Sequence, residues 1–321
     1  MRAILMNGQE LDSLRTKQMA LRMNADARVA LAQLMRVEQH QATTINWLIG
    51  ADHSPLETTI GYEQTAIEVT AAVAQMEPDP YLAQGYRYAL LEDFDHLYRY
   101  SAMLDRLEGK DPNNITQGYT DIVPARPTWL HHRAPEHDLL EPYGADAELA
   151  TKLHALTLTG GEYQTHDYYM NIGPLFADPL ARQLYAEIAS VESQHITHYG
   201  SMLNPHETLL EKLLVSEASE VWNYAGCAAQ ETNPASARCG SAFSTMSSAT
   251  CRSPCSSSRT SSGATRPRCW ATAGCRASSS SAASATSCAA WRRKKAPCAR
   301  TAPCSCRRPK RAPRRWPTAT R

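Results

Sequence analysis

Acidic residues are missing from the last 90 positions of this chain. The sequence of 321 residues holds 32 Asp and Glu, none of which follows Glu231, whereas 18 of its 33 Lys and Arg do. The overall charge of +1 therefore describes neither part: the front carries 15 basic against 32 acidic residues, and the tail is purely basic. Cysteine is almost absent from the front, where Cys227 is the only one of ten. That excludes a disulfide framework and points to a reducing compartment. No run approaches the roughly 18 apolar residues of a membrane span. The opening MRAILMNGQELDSLR also has too short an apolar run for a signal peptide. A soluble cytoplasmic protein with no membrane partner is expected.

From Ala235 onward periodicity is missing too. The composition is Ser, Ala, Arg, Cys, Pro and Thr, which reads as a disordered basic tail. A run such as WRRKKAPCAR would attract phosphates without specificity. The same composition is what a GC-rich gene yields when read out of frame. Back-translating Ala237 to Cys251 and shifting by one nucleotide permits RALWERFLDYELSHL, and the stretch from Ser278 to Trp291 permits FIEFRSQRDFVRRV. Both strings place apolar residues at three- and four-residue intervals, as a helix requires. The tail is therefore read as a frameshift that erased a native C-terminal helix near Pro234, and no specific nucleic acid partner is expected.

What the front part has is long amphipathic stretches with few Gly or Pro inside them, so an all-α fold is expected. A first helix is read over about Leu14 to Leu48, with Leu31, Leu34, Glu38, Gln41, Ile45 and Leu48 on one face. Others span about Pro55 to Gln75, Pro80 to Leu107, Leu149 to Met170, Pro179 to Leu203 and His206 to Gln230. Asp79-Pro80 and Asp178-Pro179 are helix-start signals. Residues 109–148, rich in Pro, Gly, Asn and His, form a long connection.

One ligand pattern recurs. Pro80 leads thirteen residues on to Asp93, then His96; Pro179 leads by the same steps to Glu192 and His195; and Pro234 leads to position 247, where the shifted frame places Glu and, three on, His. Another carboxylate stands thirty residues before each: Glu63, Glu162 and Glu217. Positions i and i+3 share a helix face, so each pair can ligate together. The flanking Leu184, Ile188 and Val191, and Tyr86, Ala89, Leu97 and Tyr100, turn those faces inward. Desolvated carboxylates are costly without a counter-charge, and divalent cations supply one. Carboxylates with imidazoles suit iron or manganese.

These residues, over about 55–205, resemble the ferritin-like di-iron carboxylate superfamily, which includes rubrerythrins and bacterioferritins. There one Glu on each of two helices joins a Glu-x-x-His on each of two others. The resemblance implies a four-helix bundle with its crossover at 109–148, an N-terminal helix over 1–54 packed on it, an additional helix over 206–232 and the tail at 233–321. It implies two iron ions, or iron and manganese, held by Glu63, Asp93, His96, Glu162, Glu192 and His195. Asp93 departs from the usual Glu, and Glu92 could stand in for it. A competing set, Glu162, Glu192, His195, Glu217 and the erased pair, requires an up-down-up-down bundle. Glu217 and Glu38 are taken as spare ligands, His166 and His198 as groups that orient ligands or simply pack. Tyr163, Tyr168 and Tyr169 are read as packing, Trp129, His131, His132 and His137 as a solvated loop, and Cys227 as a small core residue. The expected function is an oxidoreductase reacting with dioxygen or peroxide, with a small-molecule substrate, a separate electron donor and a second copy of the chain as partners. The alternatives are ferroxidation or iron storage, a metal-stabilised structural protein, or an inactive remnant.

Overall fold

Four Xaa-Pro steps, Ser54-Pro55, Asp79-Pro80, Asp178-Pro179 and Asn233-Pro234, start four helices, because proline's fixed φ suits the first helical turn and its missing N–H is not needed there. In the computed structural model, which describes residues 1–122 and 134–257, the preceding side chain caps each of them. Ser54 and Glu57 form a capping box, Asp79 accepts from the amides of Tyr81 and Leu82, Asp178 from Ala181, and Asn233 from Ala235. Each such cap contributes about 1 kcal/mol.

Among the described residues there are nine α-helices and no strand: α1 (Arg2–Met23), α2 (Arg28–Asn46), α3 (Pro55–Met76), α4 (Pro80–Glu108), the single turn α5 (Asn113–Thr116), α6 (Leu149–Ile172), α7 (Pro179–Ser201), α8 (Leu209–Gln230) and α9 (Pro234–Ser257). The long helices pair along the chain as hairpins: α1 with α2, α3 with α4, α6 with α7 and α8 with α9. The second and third hairpins pack together, as do the first and fourth, and α1 joins the two groups through α6. No helix among the described residues is long and apolar enough to cross a membrane.

Contacts at the helix ends fix direction in the α3–α4–α6–α7 group. Glu77, at the end of α3, accepts from Thr151 and contacts His154 at 2.7 Å, both at the start of α6. At the other end Tyr168 donates to the Pro55 carbonyl, so α3 and α6 run antiparallel. Lys110, just past α4, pairs with Glu57 near the start of α3. The connection 109–148 thus leaves one end of the group and delivers the chain to the other. Leu56, Ile60, Leu97, Tyr100, Tyr185 and Ile188 fill the core beside the site, and Tyr100 lies 4.8 Å from Tyr185 and 5.1 Å from Tyr169, ring centre to ring centre.

The two groups touch where glycine meets glycine. A Cβ on Gly160 of α6 would lie 3.1 Å from the Gly8 carbonyl oxygen and 3.1 Å from the Asp12 Cβ, and one on Gly8 would lie 3.2 Å from the Gly160 carbonyl oxygen. Backbone on both sides cannot move aside as a side-chain tip would. Gly160→Val is therefore expected to lower stability by about 1–3 kcal/mol, as overpacking of a tight contact does; a urea melt with an unchanged midpoint would show that the helices separate freely.

Three expectations change. The single helix over Leu14–Leu48 is two, since Asn24 takes an extended conformation and its side chain accepts from the Ala27 amide. The first begins at Arg2, not Leu14. Residues 1–54 form a hairpin whose α1 packs on α6 and α3 of the bundle and equally on α8. Residues 234–257, read as part of a disordered tail, form α9 packed on α8; the start signal Asn233-Pro234 and the cap it supplies survive in the chain. The remainder of the tail, 258–321, and Trp129, His131 and His132 lie outside the described residues.

Candidate metal centre

All six carboxylates and histidines read from the spacing meet inside the α3–α4–α6–α7 group. Glu63 comes from α3, Asp93 and His96 from α4, Glu162 from α6, and Glu192 and His195 from α7, each at most 3 % exposed. They fall into two sets whose ligand atoms lie within 4.8 Å of one another: Glu63, His96 and Glu192, and Asp93, Glu162 and His195. The i,i+3 spacing places both members of each α4 and α7 pair on one inward face. The two imidazole centres are 5.8 Å apart.

Glu192 joins the sets. Its Oε1 is 3.0 Å from His96 Nδ1 and its Oε2 is 3.2 Å from His195 Nδ1, so a single carboxylate spans both. The Nδ1 of His195 also faces Asp93 and Glu162, each at 3.7 Å. Its Nε2 lies 2.7 Å from Glu92 Oε2. Glu92 therefore sits behind the ring and Asp93 in front of it, which separates the roles of two adjacent acids: Glu92 holds the ring orientation while Asp93 faces inward. A carboxylate behind a ligating imidazole is a common way to fix its tautomer. On the other side the Tyr169 hydroxyl donates to Glu63 Oε1.

Electrostatics mark the cavity as built for positive charge. Burial, then the nearby Glu192 charge, pushes the Glu63 and Glu162 carboxyls well above the usual range, and burial raises Asp93 to about 6. Burial also acts to raise Glu192, but the charges and hydrogen bonds of His96 and His195 more than offset it and hold this carboxyl below its ordinary value. His195 is raised well above its ordinary value, because Glu162, Glu192 and Glu92 outweigh the opposing effect of burial. The donor set fits metal: Glu63 Oε2 and Asp93 Oδ2 are buried without a hydrogen-bond partner, and buried polar atoms left in that state cost about 1–3 kcal/mol each.

Other candidates take different places. Glu38 and Glu217 lie in the second group of helices, close to Lys17. The competing ligand set with Glu217 is therefore not assembled. His166 contacts Asp167 near the surface, and His198 contacts the Gly85 carbonyl. Tyr163 lies under the Arg15 guanidinium at 4.0 Å and Tyr168 packs on Tyr62, whereas Tyr169, read as packing alone, also reaches the centre. His137 is exposed in a single 3-10 turn, and Cys227 is buried with Met6, Ile45 and Tyr224. Sequence reading missed the roles of Glu92 and Tyr169, and missed Glu10 and Glu220 entirely; Glu10 stands 28 residues before Glu38, close to the thirty-residue interval that revealed the others. No protein family, curated protein or solved structure matches the chain.

Proposed function

We propose that this centre holds two ions, iron or iron with manganese, and that the chain is a ferritin-like oxidoreductase acting on dioxygen or peroxide. The observation that carries the reading is Glu192, one carboxylate set between two histidines, with Glu63 beside one of them and Asp93 and Glu162 beside the other. Four carboxylates with two imidazoles form a donor set suited to these ions. The lengthwise connection between the α3–α4 and α6–α7 hairpins is the topology such bundles use. When bound, the ions would supply redox chemistry, which amino acid side chains lack.

The chain's own residues supply geometry and exclusion. Glu92 holds the His195 ring so that Nδ1 faces inward, and Tyr169 holds Glu63. Tyr100, Tyr169, Tyr185 and Ile188 wall the centre against bulk water. A narrow cleft between α1, α3 and α6, lined by Tyr62, Val69, Leu158 and Thr165 among others, reaches Glu162. Its volume of about 30 Å³ accommodates one or two water-sized molecules, which favours a diatomic or peroxide substrate over a bulky one.

Tyr169→Phe removes the hydrogen bond to Glu63 while keeping the ring in its packing. It is expected to weaken metal binding by about 10–100-fold, the usual effect of losing a group that orients a ligand; titration with ferrous or manganous ion measures this. The reading itself is tested on protein purified aerobically from iron-rich medium. Two transition-metal equivalents per chain and sustained peroxide or dioxygen consumption with an added reductant are expected. Steady iron uptake beyond two equivalents would instead show iron handling, and the absence of any bound transition metal would end the proposal.

A further inference from the structure

The α1–α2–α8–α9 group carries charge where a helical core is ordinarily apolar. Glu10 and Lys17 come from α1, Glu38 from α2, and Glu217 and Glu220 from α8, all at most 3 % exposed. Oxygens of Glu10, Glu38 and Glu220 lie within 4.8 Å of one another. The Lys17 ammonium is 2.7 Å from Glu217, 3.4 Å from Glu38 and 3.8 Å from Glu220. Ser13 donates to Glu38, Ser247 of α9 donates to Glu220 Oε2 at 2.7 Å, and Tyr224 donates to Glu10 Oε1.

One ammonium is thus set among four desolvated carboxylates and lies within 4 Å of three of them. The charge left over is unfavourable by several kcal/mol per ion in a dry interior. Four buried oxygens of the cluster have no hydrogen-bond partner, both of Glu217 beside the Lys17 ammonium and, among the other carboxylates, Glu10 Oε2 and Glu220 Oε1, whose residues are 0 % and 1 % exposed. The inventory of donors there, carboxylate oxygens with neither His nor Cys, suits a hard divalent cation. Lys17 lies nearest Glu217, and oxygens of Glu10, Glu38 and Glu220 lie close enough to one another to share one ion.

A separate line leads to the same place. Glu10 and Glu38 are 28 residues apart, near the thirty that separate Glu63 from Asp93 and Glu162 from Glu192, so all four hairpins carry a buried carboxylate on their first helix. A one-nucleotide shift in back-translated α9 codons permits a Glu at position 247. The residue present there, Ser247, is 2 % exposed with its hydroxyl on Glu220. The permitted Glu and the observed contact with Glu220 thus fall on the same position.

We propose that Glu10, Glu38 and Glu220 form a further metal site, holding one divalent cation such as manganese through oxygen ligands, distinct from the histidine-bearing centre. Manganese binding to the full chain, counted by equilibrium dialysis with metal analysis, tests it. Glu220→Gln is expected to bind one ion fewer than the parent, with affinity at this site lowered by at least about 100-fold, more than the loss of an orienting group produces. Ser247→Glu is expected to tighten the same site by about tenfold, through an added oxygen ligand. A Glu192→Ala chain should retain this ion. If only the histidine-bearing centre fails to bind, the parent holds one ion and Glu220→Gln removes it, so the two proposals fail separately. An unchanged count in Glu220→Gln, no tightening in Ser247→Glu, or no manganese in Glu192→Ala each overturns the site.

Discussion

Glu192→Ala is expected to abolish binding of both ions at the histidine-bearing centre, where removal of any other carboxylate takes a ligand from one set alone. The asymmetry follows from position. Glu63 and Glu162 each belong to a single set, whereas the two oxygens of Glu192 lie 3.0 and 3.2 Å from the inward nitrogens of His96 and His195. Alanine deletes both contacts and leaves two imidazoles and three carboxylates without the group between them. Loss of an orienting residue costs about 10–100-fold in affinity, so loss of a shared ligand should exceed about 100-fold for each ion. Glu92→Gln provides the comparison: it keeps shape and a hydrogen-bonding oxygen behind His195, and should fall within that smaller range. Metal analysis after dialysis against a weak chelator measures both variants. Retention of two equivalents by Glu192→Ala would show that the sets bind independently, and the bridging role would be wrong.

How much of this was legible in the sequence depended on which faces were apolar. Helices α3, α4 and α7 bury Leu56, Ile60, Leu97, Leu184 and Ile188, so their periodicity stood out, and their proline starts were set by caps that depend only on neighbouring residues. The six carboxylates and histidines were legible for a related reason: i,i+3 pairs and a constant interval between hairpin arms are properties of the chain itself. Helix α1 hid because its buried residues include Asn7, Gln9, Glu10, Asp12, Ser13 and Lys17. With polar groups inward there is no apolar stripe to find, and a helix read only from Leu14 could not offer Glu10 as a ligand. The parts played by Glu92 and Tyr169 were invisible for a different cause. Glu92 and Asp93 are adjacent and equally acidic, and only the packing of α7 against α4 decides which faces His195 Nδ1 and which faces Nε2. Glu217 was likewise placed by tertiary structure: the antiparallel contact of α8 with α1, seen in Arg2 with Glu231 at one end and Lys17 with Glu217 at the other, turns it toward Lys17.

Lys17→Met is expected to produce the largest stability loss of any single substitution in the α1–α2–α8–α9 group. Methionine preserves much of the apolar stem, so the change isolates the charge. Burial acts to lower the pKa of Lys17, but Glu220, Glu217 and Glu38 more than offset it and keep the ammonium charged. Removing it leaves Glu10, Glu38, Glu217 and Glu220 without a cation among the described side chains that face them, where α9 contributes Ser247 and α8 the Tyr224 phenol. Breaking a buried ion pair from one side costs about 3–5 kcal/mol. The loss should depend on pH, with a definite sign. Burial pushes Glu10 and Glu220 well above the ordinary carboxyl range, so the folded chain binds protons that the unfolded chain releases. Stability from those protons is fully present below the unfolded value of roughly 4.3 and is lost as the pH rises through the raised folded values. The difference between parent and Lys17→Met should therefore be small in mild acid and widen toward neutrality, measured by urea unfolding with chelator present. Manganese should then restore part of it, by about 2.7 kcal/mol at a hundred times the dissociation constant. A deficit equal at every pH would mean that Lys17 acts through its packing, because charge held among titrating carboxylates cannot be indifferent to their protonation.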